Sequence, residues 1–381
     1  SSSSSSSSCG RNGVTAFAAA GAAGASALLL LQPPLQCYYE QGPDGAVDRL
    51  KRWSSRSWNV KAGASPGFHL RSVSPVLEKY LPRLTDSLSC AEGQPLSVLL
   101  PLCGKTVDMM YLCEQGFRVA GVEGVLRPIL ELRSEQRMRL KDFKDRTILS
   151  RGSSGWVEGA GFEPAQEFQG GRRGEVFKLG AQGLGYYTDS PAVWRGKVRA
   201  GNRTTMPLHV IQADMFDVTP DLVSTATFED RGKFDMMYDR GGLDSVPPPA
   251  WEEYVAATSR LLRPGGRLLL TVTDYDQAQV PIDPTGRRWS PPPFSVQEGD
   301  VRRLFPLGSW DIEVLGKQVD EELSNGNPAF HGVIVSEVAY LITKKSRAAD
   351  DTAAGGRKSR MYAGGAALAL AALGAAAVGC R

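Results

Sequence analysis

The hydrophobic positions along the chain change rhythm several times, and each change marks an element. Ser97 to Leu102 (SVLLPL) is a short continuous apolar run, the pattern of a strand buried on both faces. Cys103-Gly104-Lys105 reads as a turn. Thr106 to Gln115 places apolar residues at helical spacing, at Val107, Met110, Tyr111 and Leu112, and Gly116 stops it. Phe117 to Val122 (FRVAGV) is a second strand, closed by Glu123. Together these make one βαβ unit.

The alternation resumes later. His209 to Gln212 reads as a short strand leading into Asp214, and Lys233 to Tyr238 as another, closed by Asp239 and Arg240. Pro249 to Leu262 reads as a helix with Trp251, Tyr254, Val255 and Leu262 on its apolar side. Arg263 to Gly266 (RPGG) is a tight turn, and Arg267 to Thr273 (RLLLTVT) a strongly β-prone strand. Gly299 to Phe305 reads as a short helix, and Trp310 to Leu315 and Val333 to Thr343 as the last, antiparallel strands. The expected fold is α/β: a doubly wound, mostly parallel, Rossmann-like sheet with helices on both faces and an antiparallel edge strand. Between Arg127 and Thr205 the pattern is poorer. Arg133 to Arg146 is charged and helix-like, and Ser150 to Gly185 is Gly-rich with one candidate strand at Glu175 to Leu179. Part of this stretch, near 145–205, reads as an insertion.

The ends follow no such pattern. The chain opens on Ser1 rather than Met, the mark of a fragment or a processed product. Residues 1–45 begin with eight Ser, carry no acid before Tyr39, and contain an Ala- and Leu-rich run from Val14 to Leu31. That composition reads as a targeting segment, against the plainer alternative of a low-complexity tail. A domain over 46–345 is then followed by a linker at 346–360 and an uncharged, Ala- and Gly-rich tail at 361–381. The tail has about the length of a bilayer span and a basic flank, so a membrane anchor, a transmembrane helix, is one reading of it. A marginal Ala-rich helix is the other. The expected location is membrane-anchored facing the cytoplasm or organelle-targeted, and otherwise cytoplasmic.

Charge narrows the function. Lys plus Arg is 44 against 41 Asp plus Glu, a net +3, which argues against a nucleic-acid partner. The six Cys form no CxxC pair and there are three His, so neither a structural metal nor a disulfide framework is expected. The first turn lacks GxGxxG, which disfavours a pyrophosphate-binding dehydrogenase. A P-loop would need Gly where Leu99 stands, and Pro101 blocks its nest of amides. Lys105 therefore reads as a surface or helix-start lysine. Glu123 lies 19 residues after Gly104, where a carboxylate can accept from both hydroxyls of a ribose. A nucleoside without phosphates fits this pairing, and S-adenosylmethionine is one. A surface acid at a strand end is the bland alternative.

A group of ordered motifs carries a resemblance. Leu100 to Lys105 (LPLCGK), Asp108-Met109, Gly121-Val122-Glu123, Phe234 to Gly241 (FDMMYDRG), Tyr275-Asp276-Gln277, Pro291 to Val296 (PPPFSV) and Asn327 to Phe330 (NPAF) resemble the thiopurine S-methyltransferase family. Trp53, Trp58 and Gly67-Phe68-His69 resemble its N-terminal lid. The likeness runs from about Trp53 to Lys344 and is closer to bacterial members.

The resemblance implies a class I S-adenosylmethionine-dependent methyltransferase domain acting on the sulfur of a small aromatic or heterocyclic thiol. It implies cofactor contacts from Trp53, Trp58, Leu102, Gly104, Glu123, Asp214, Met215 and Arg240. It implies substrate contacts from Phe68, His69, Arg240 and Phe330, with Arg240 the catalytic candidate. Arg240 could favour a thiolate or act through water, or could simply pair with Asp239. His69 reads equally as a base or as a packing histidine. Cys103 reads as a small buried residue. The alternatives are a relative methylating another soft nucleophile (a small thiol, selenide or halide) and a non-catalytic, cofactor-binding, membrane-attached protein. The chain departs from the family where Ala329 and His331 fall at positions at which bacterial members tend to carry Arg.

Overall fold

Nine strands form the main sheet: β1 (Ser97–Leu100), β2 (Arg118–Val122), β3 (Thr147–Ser153), β4 (Ala192–Arg199), β5 (Thr205–Gln212), β6 (Phe234–Arg240), β7 (Leu262–Asp274), β8 (Trp310–Val319) and β9 (Ser336–Lys344). The computed structural model describes residues 40–41, 47–59, 66–88, 93–139, 147–153, 162–167, 175–180, 183–188, 191–201, 204–280, 292–326, 330 and 332–346. The sheet order is β8-β9-β7-β6-β1-β2-β5-β4-β3. The five central strands, β7 to β5 in that order, pair in parallel. The other four pairings, two at each edge, are antiparallel. The doubly wound sheet is thus as expected, but antiparallel pairing flanks it on both sides rather than at one edge.

Strand geometry sets the two cores. Side chains alternate across a strand, so β1 sends Leu99 to one face and Val98 and Leu100 to the other. On the first face, β-strand residues pack against α4 (Pro220–Ala226), α5 (Trp251–Ser259) and α6 (Glu298–Leu304), through Leu222, Trp251, Tyr254 and Val301. On the second they meet α1 (Pro75–Thr85), α2 (Asp108–Glu114) and α3 (Leu126–Arg139), through Leu77, Leu84, Leu112 and Ile129. All four residues of β1 and all five of β2 are buried, which accounts for their unbroken apolar run.

Local chemistry explains several boundaries. Thr219 caps α4 by accepting from the Leu222 amide at 3.2 Å. Pro75 opens α1, where its missing N–H is no loss. The expected turn at Arg263 to Gly266 lies inside β7. Leu262 faces Phe234 and Arg267 faces Met236, so the intervening residues loop out of the ladder. The charged helix begins at Leu126, earlier than its composition alone announced. Within the pattern-poor stretch, β4 pairs with β5 along its whole length and buries Val193 and Trp194. A separate three-stranded antiparallel sheet of Phe162–Pro164, Glu175–Gly180 and Gly183–Thr188 follows β3.

Candidate active site

The carboxyl ends of β1, β2, β5 and β6 meet where the connections run to opposite sides of β1. That crevice is the natural ligand site of an open α/β sheet. Four sequence candidates sit at these strand ends: Gly104 after β1, Glu123 after β2, Asp214 after β5 and Arg240 at the end of β6.

The turn after β1 is tightly specified. Leu102 holds φ of 45°, a left-handed conformation that its Cβ disfavours, and Gly104 follows at φ 53°. The Cys103 amide donates to the Val122 carbonyl at 2.9 Å, tying the turn to β2. Gly104 lies under the indole of Trp58. A Cβ placed there would sit 3.0 Å from Trp58 Cζ2, so only glycine lets the ring come this close.

Glu123 is buried, and its carboxylate accepts from the Gly104 amide at 2.9 Å and the Val125 amide at 2.7 Å. Burial pushes its pKa up to about 7, against the pull of these amides toward the ionised form. The surface-acid alternative is therefore wrong for Glu123. Asp214 caps the short helical turn Met215–Asp217 by accepting from Phe216, at 3.1 Å. Met215 is fully buried in the core.

The segment before the lid contributes residues that pattern reading missed. Arg49 lies 3.6 Å from Asp214, donates to both oxygens of Glu253 and sits 4.2 Å above the Phe216 ring. Leu50 packs against Gly124, where an added Cβ would lie 3.0 Å from Leu50 Cδ1. The signal available was a lone Arg-Leu pair next to Trp53, with no local periodicity to distinguish it. Behind them the lid aromatics pack edge to face. Phe68 stands 6.0 Å from Trp53 and 5.3 Å from Trp58, and is itself half exposed.

Arg240 is held differently. Its Nε lies 3.6 Å from a Glu337 carboxylate oxygen on β9, and that buried Nε has no hydrogen-bond partner among the described residues. The expected alternative, a pair with Asp239, does not occur. Asp239 accepts from the Gly242 amide and the Tyr254 hydroxyl, both at 2.9 Å, and burial raises its pKa to about 7. Asp244, raised by burial to about 6, accepts from the amide and hydroxyl of Thr273.

Three further candidates resolve as follows. Lys105 is not on the surface: its ammonium is buried and paired with Glu135 at 2.7 Å and Glu131 at 3.0 Å, both on α3. His69 is half-buried, and burial, then Lys105, lowers its pKa. Phe330 is fully buried and packs on Tyr275 at 5.0 Å, in a small cluster outside the two main cores. Cys103 is buried, with burial raising its pKa, as expected of an inert thiol. The substitutions at Ala329 and His331 lie outside the described residues, as do both chain ends. Among the described residues no helix is long and apolar enough to cross a membrane.

The residues at the strand ends fit a nucleoside cofactor. The site offers a buried carboxylate for hydroxyls, a turn with room for close approach, and aromatic rings suited to a cation. Fold and site together define an S-adenosylmethionine-dependent methyltransferase of the doubly wound class. Residues 50–145 and 194–345 match the family model described as Thiopurine S-methyltransferase (TPMT), and the chain belongs to that family. Its relatives include thiopurine S-methyltransferases from two strains of Pseudomonas fluorescens. Pf0-1 is 28% identical over 253 residues, 66% of this chain and 81% of the relative. SBW25 is 30% identical over 249 residues, 65% and 79%. The thiopurine S-methyltransferase of Bos taurus is 29% identical over 256 residues, 67% and 75%. The family match is interrupted across 146–193, the stretch that carries β3, the small sheet and the start of β4.

Proposed function

We propose that this methyltransferase transfers its methyl group to the sulfur of a small aromatic or heterocyclic thiol. The observation that carries this reading is Arg240, a permanent cation with an unpartnered buried Nε at the strand end beside the lid aromatics. S-adenosylmethionine supplies an electrophilic methyl on a sulfonium, and the proposed holders are Glu123, Gly104, Leu102, Asp214, Trp53 and Trp58.

The chain's own groups then have limited tasks. Phe68, half exposed, offers an apolar face to a flat acceptor. Trp53, Trp58 and Phe68 exclude water, so that acceptor and methyl meet in a dry site. Arg240 favours the thiolate over the thiol by its charge. Aromatic thiols ionise readily, so no dedicated base is required. Cys103 and Lys105 take no part, the first being buried and protonated and the second spent on two glutamates.

The test is transfer of labelled methyl from S-adenosylmethionine to thiophenol and to a heterocyclic thiol. Transfer to sulfur with loss of most of the rate in Arg240→Ala is the expected result. Cofactor binding with no transfer to any small thiol would overturn the thiol assignment. The leader and tail of the chain remain candidates for targeting and membrane attachment, tested by fractionating cells that express the full chain against one ending at residue 346.

A further inference from the structure

The acceptor end of the site holds more negative charge than positive. Arg240 is paired with Glu337 at 3.6 Å. The buried carboxylates of Asp108 and Asp244 also feel its charge. Each of those two is satisfied by neutral donors: Asp108 by the Ser74 amide at 2.8 Å and the Thr106 hydroxyl at 2.9 Å, Asp244 by Thr273. Lys105, the nearest other cation to His69, is committed to Glu131 and Glu135. One guanidinium therefore faces three carboxylates. An anion that docked beside Arg240 would compete with Glu337 and be repelled by the other two.

We infer that the acceptor of this enzyme carries no anionic substituent, and that Glu337 enforces this by occupying the charge of Arg240. The inference rests on the acceptor lying beside Arg240, as proposed above. Glu337 acts through Arg240 and is a positioning residue. It lies on β9, where it also accepts from Gln318 at 3.0 Å, so its carboxylate is fixed rather than free to swing away. The Arg240 Nε that lacks a hydrogen bond leaves one directional donor for the single negative charge of a thiolate sulfur, but no free countercharge for a second.

The test uses matched ligands that do not react: 4-(methylthio)benzoate and 4-(methylthio)benzamide, titrated by calorimetry into the full chain saturated with S-adenosylhomocysteine. The benzamide is expected to bind at least tenfold more tightly than the benzoate. Glu337→Gln should strengthen the benzoate at least fivefold and leave the benzamide within twofold, because only the charge on Arg240 has been freed. A variant that changed the local structure would move both ligands alike. Equal binding of the two by the parent protein, binding of neither, or a parallel shift of both in Glu337→Gln would overturn the inference. If Glu337→Gln does not fold, the comparison in the parent protein still decides. Thiophenol and 4-mercaptobenzoate are assayed for methylation on the same preparation. Charge-selective binding without any methylation would overturn the thiol reading and leave this inference standing, whereas methylation of both thiols at similar kcat/KM would do the reverse.

Discussion

The two halves of the strand-end crevice are built by different means. In the half formed by β1, β2 and β5, the key polar group is Glu123, and its partners are the backbone amides of Gly104 and Val125. In the half formed by β6 and β9, the key group is Arg240, and its partner is another side chain, Glu337. Backbone partners are fixed by the fold and change only if the turn is rebuilt. Side-chain partners can be exchanged one residue at a time. The first half therefore suits a cofactor common to a family, and the second an acceptor that varies between members.

The largest effect is expected from breaking the backbone-anchored half. Glu123→Ala removes the proposed ribose acceptor and leaves two buried amides unpartnered. S-adenosylhomocysteine affinity should fall by about 1–3 kcal/mol, roughly 5- to 150-fold. Calorimetry on the folded variant checks this. An unchanged affinity would take Glu123 out of the site and remove the distinction between the halves.

Next in size is the strut between them. Lys105 follows the Gly104 turn directly and is anchored to α3 through Glu131 and Glu135, whose carboxylates still reach water. Removing one partner of a buried pair costs up to about 3–5 kcal/mol, and about 1–3 is expected here because water can solvate the glutamates left behind. Lys105→Met should lower the midpoint of denaturant unfolding, while the folded fraction keeps its acceptor preference. A change of preference at unaltered stability would make Lys105 part of the site instead.

The same contrast explains what could be read from the sequence. The cofactor half was legible because its constraints are local: an apolar strand, a turn with one Gly, and an acid at a fixed spacing from it. Leu99 and Val122 declare buried strands, and Glu123 declares a ligand end. The acceptor half depends on contacts far apart in the chain. Nothing near Arg240 points to Glu337, almost a hundred residues on, and Asp239 beside it was the wrong guess because its carboxylate is already taken by Tyr254 and Gly242. Lys105 looked like a surface residue because its partners lie a helix away on α3. β4 was missed because its apolar residues, Val193 and Trp194, are spaced by Arg195 and Lys197 and preceded by Gly-rich sequence, so only pairing with β5 defines it.

A pH titration sharpens the comparison with a smaller effect. Burial raises Glu123 to about 7 in the free protein, above the ordinary carboxylate value of about 4.5. The folded state thus holds a proton that the unfolded chain has released. The stability from this proton is complete below the unfolded pKa and is lost as pH rises toward 7. Asp239, raised to about 7, and Asp244, raised to about 6, act in the same direction. Ligand binding should run the opposite way, because the ionised carboxylate is the better acceptor for hydroxyls. Affinity for S-adenosylhomocysteine should rise by up to about tenfold between pH 6 and 8, as the fraction ionised follows a pKa near 7. Glu123→Gln should flatten that rise while leaving the stability trend of Asp239 and Asp244. A rise that persists in Glu123→Gln would assign it to another group.

The smallest effect concerns the lid, which spans both halves. Trp58 covers Gly104, and its ring face is the proposed neighbour of a sulfonium. A cation over an aromatic face gains about 0.5–2 kcal/mol, whereas the neutral thioether of the demethylated cofactor gains only dispersion. Trp58→Ala should therefore weaken S-adenosylmethionine more than S-adenosylhomocysteine, by a further factor of roughly five. Trp58→Phe should restore part of the difference, since a smaller ring keeps a negative face. Equal losses for the two ligands in Trp58→Ala would mean that Trp58 closes the site by packing alone, through its contacts with Phe68 and the Gly104 turn. The charge of the sulfonium would then be read by the carboxylates of the acceptor half.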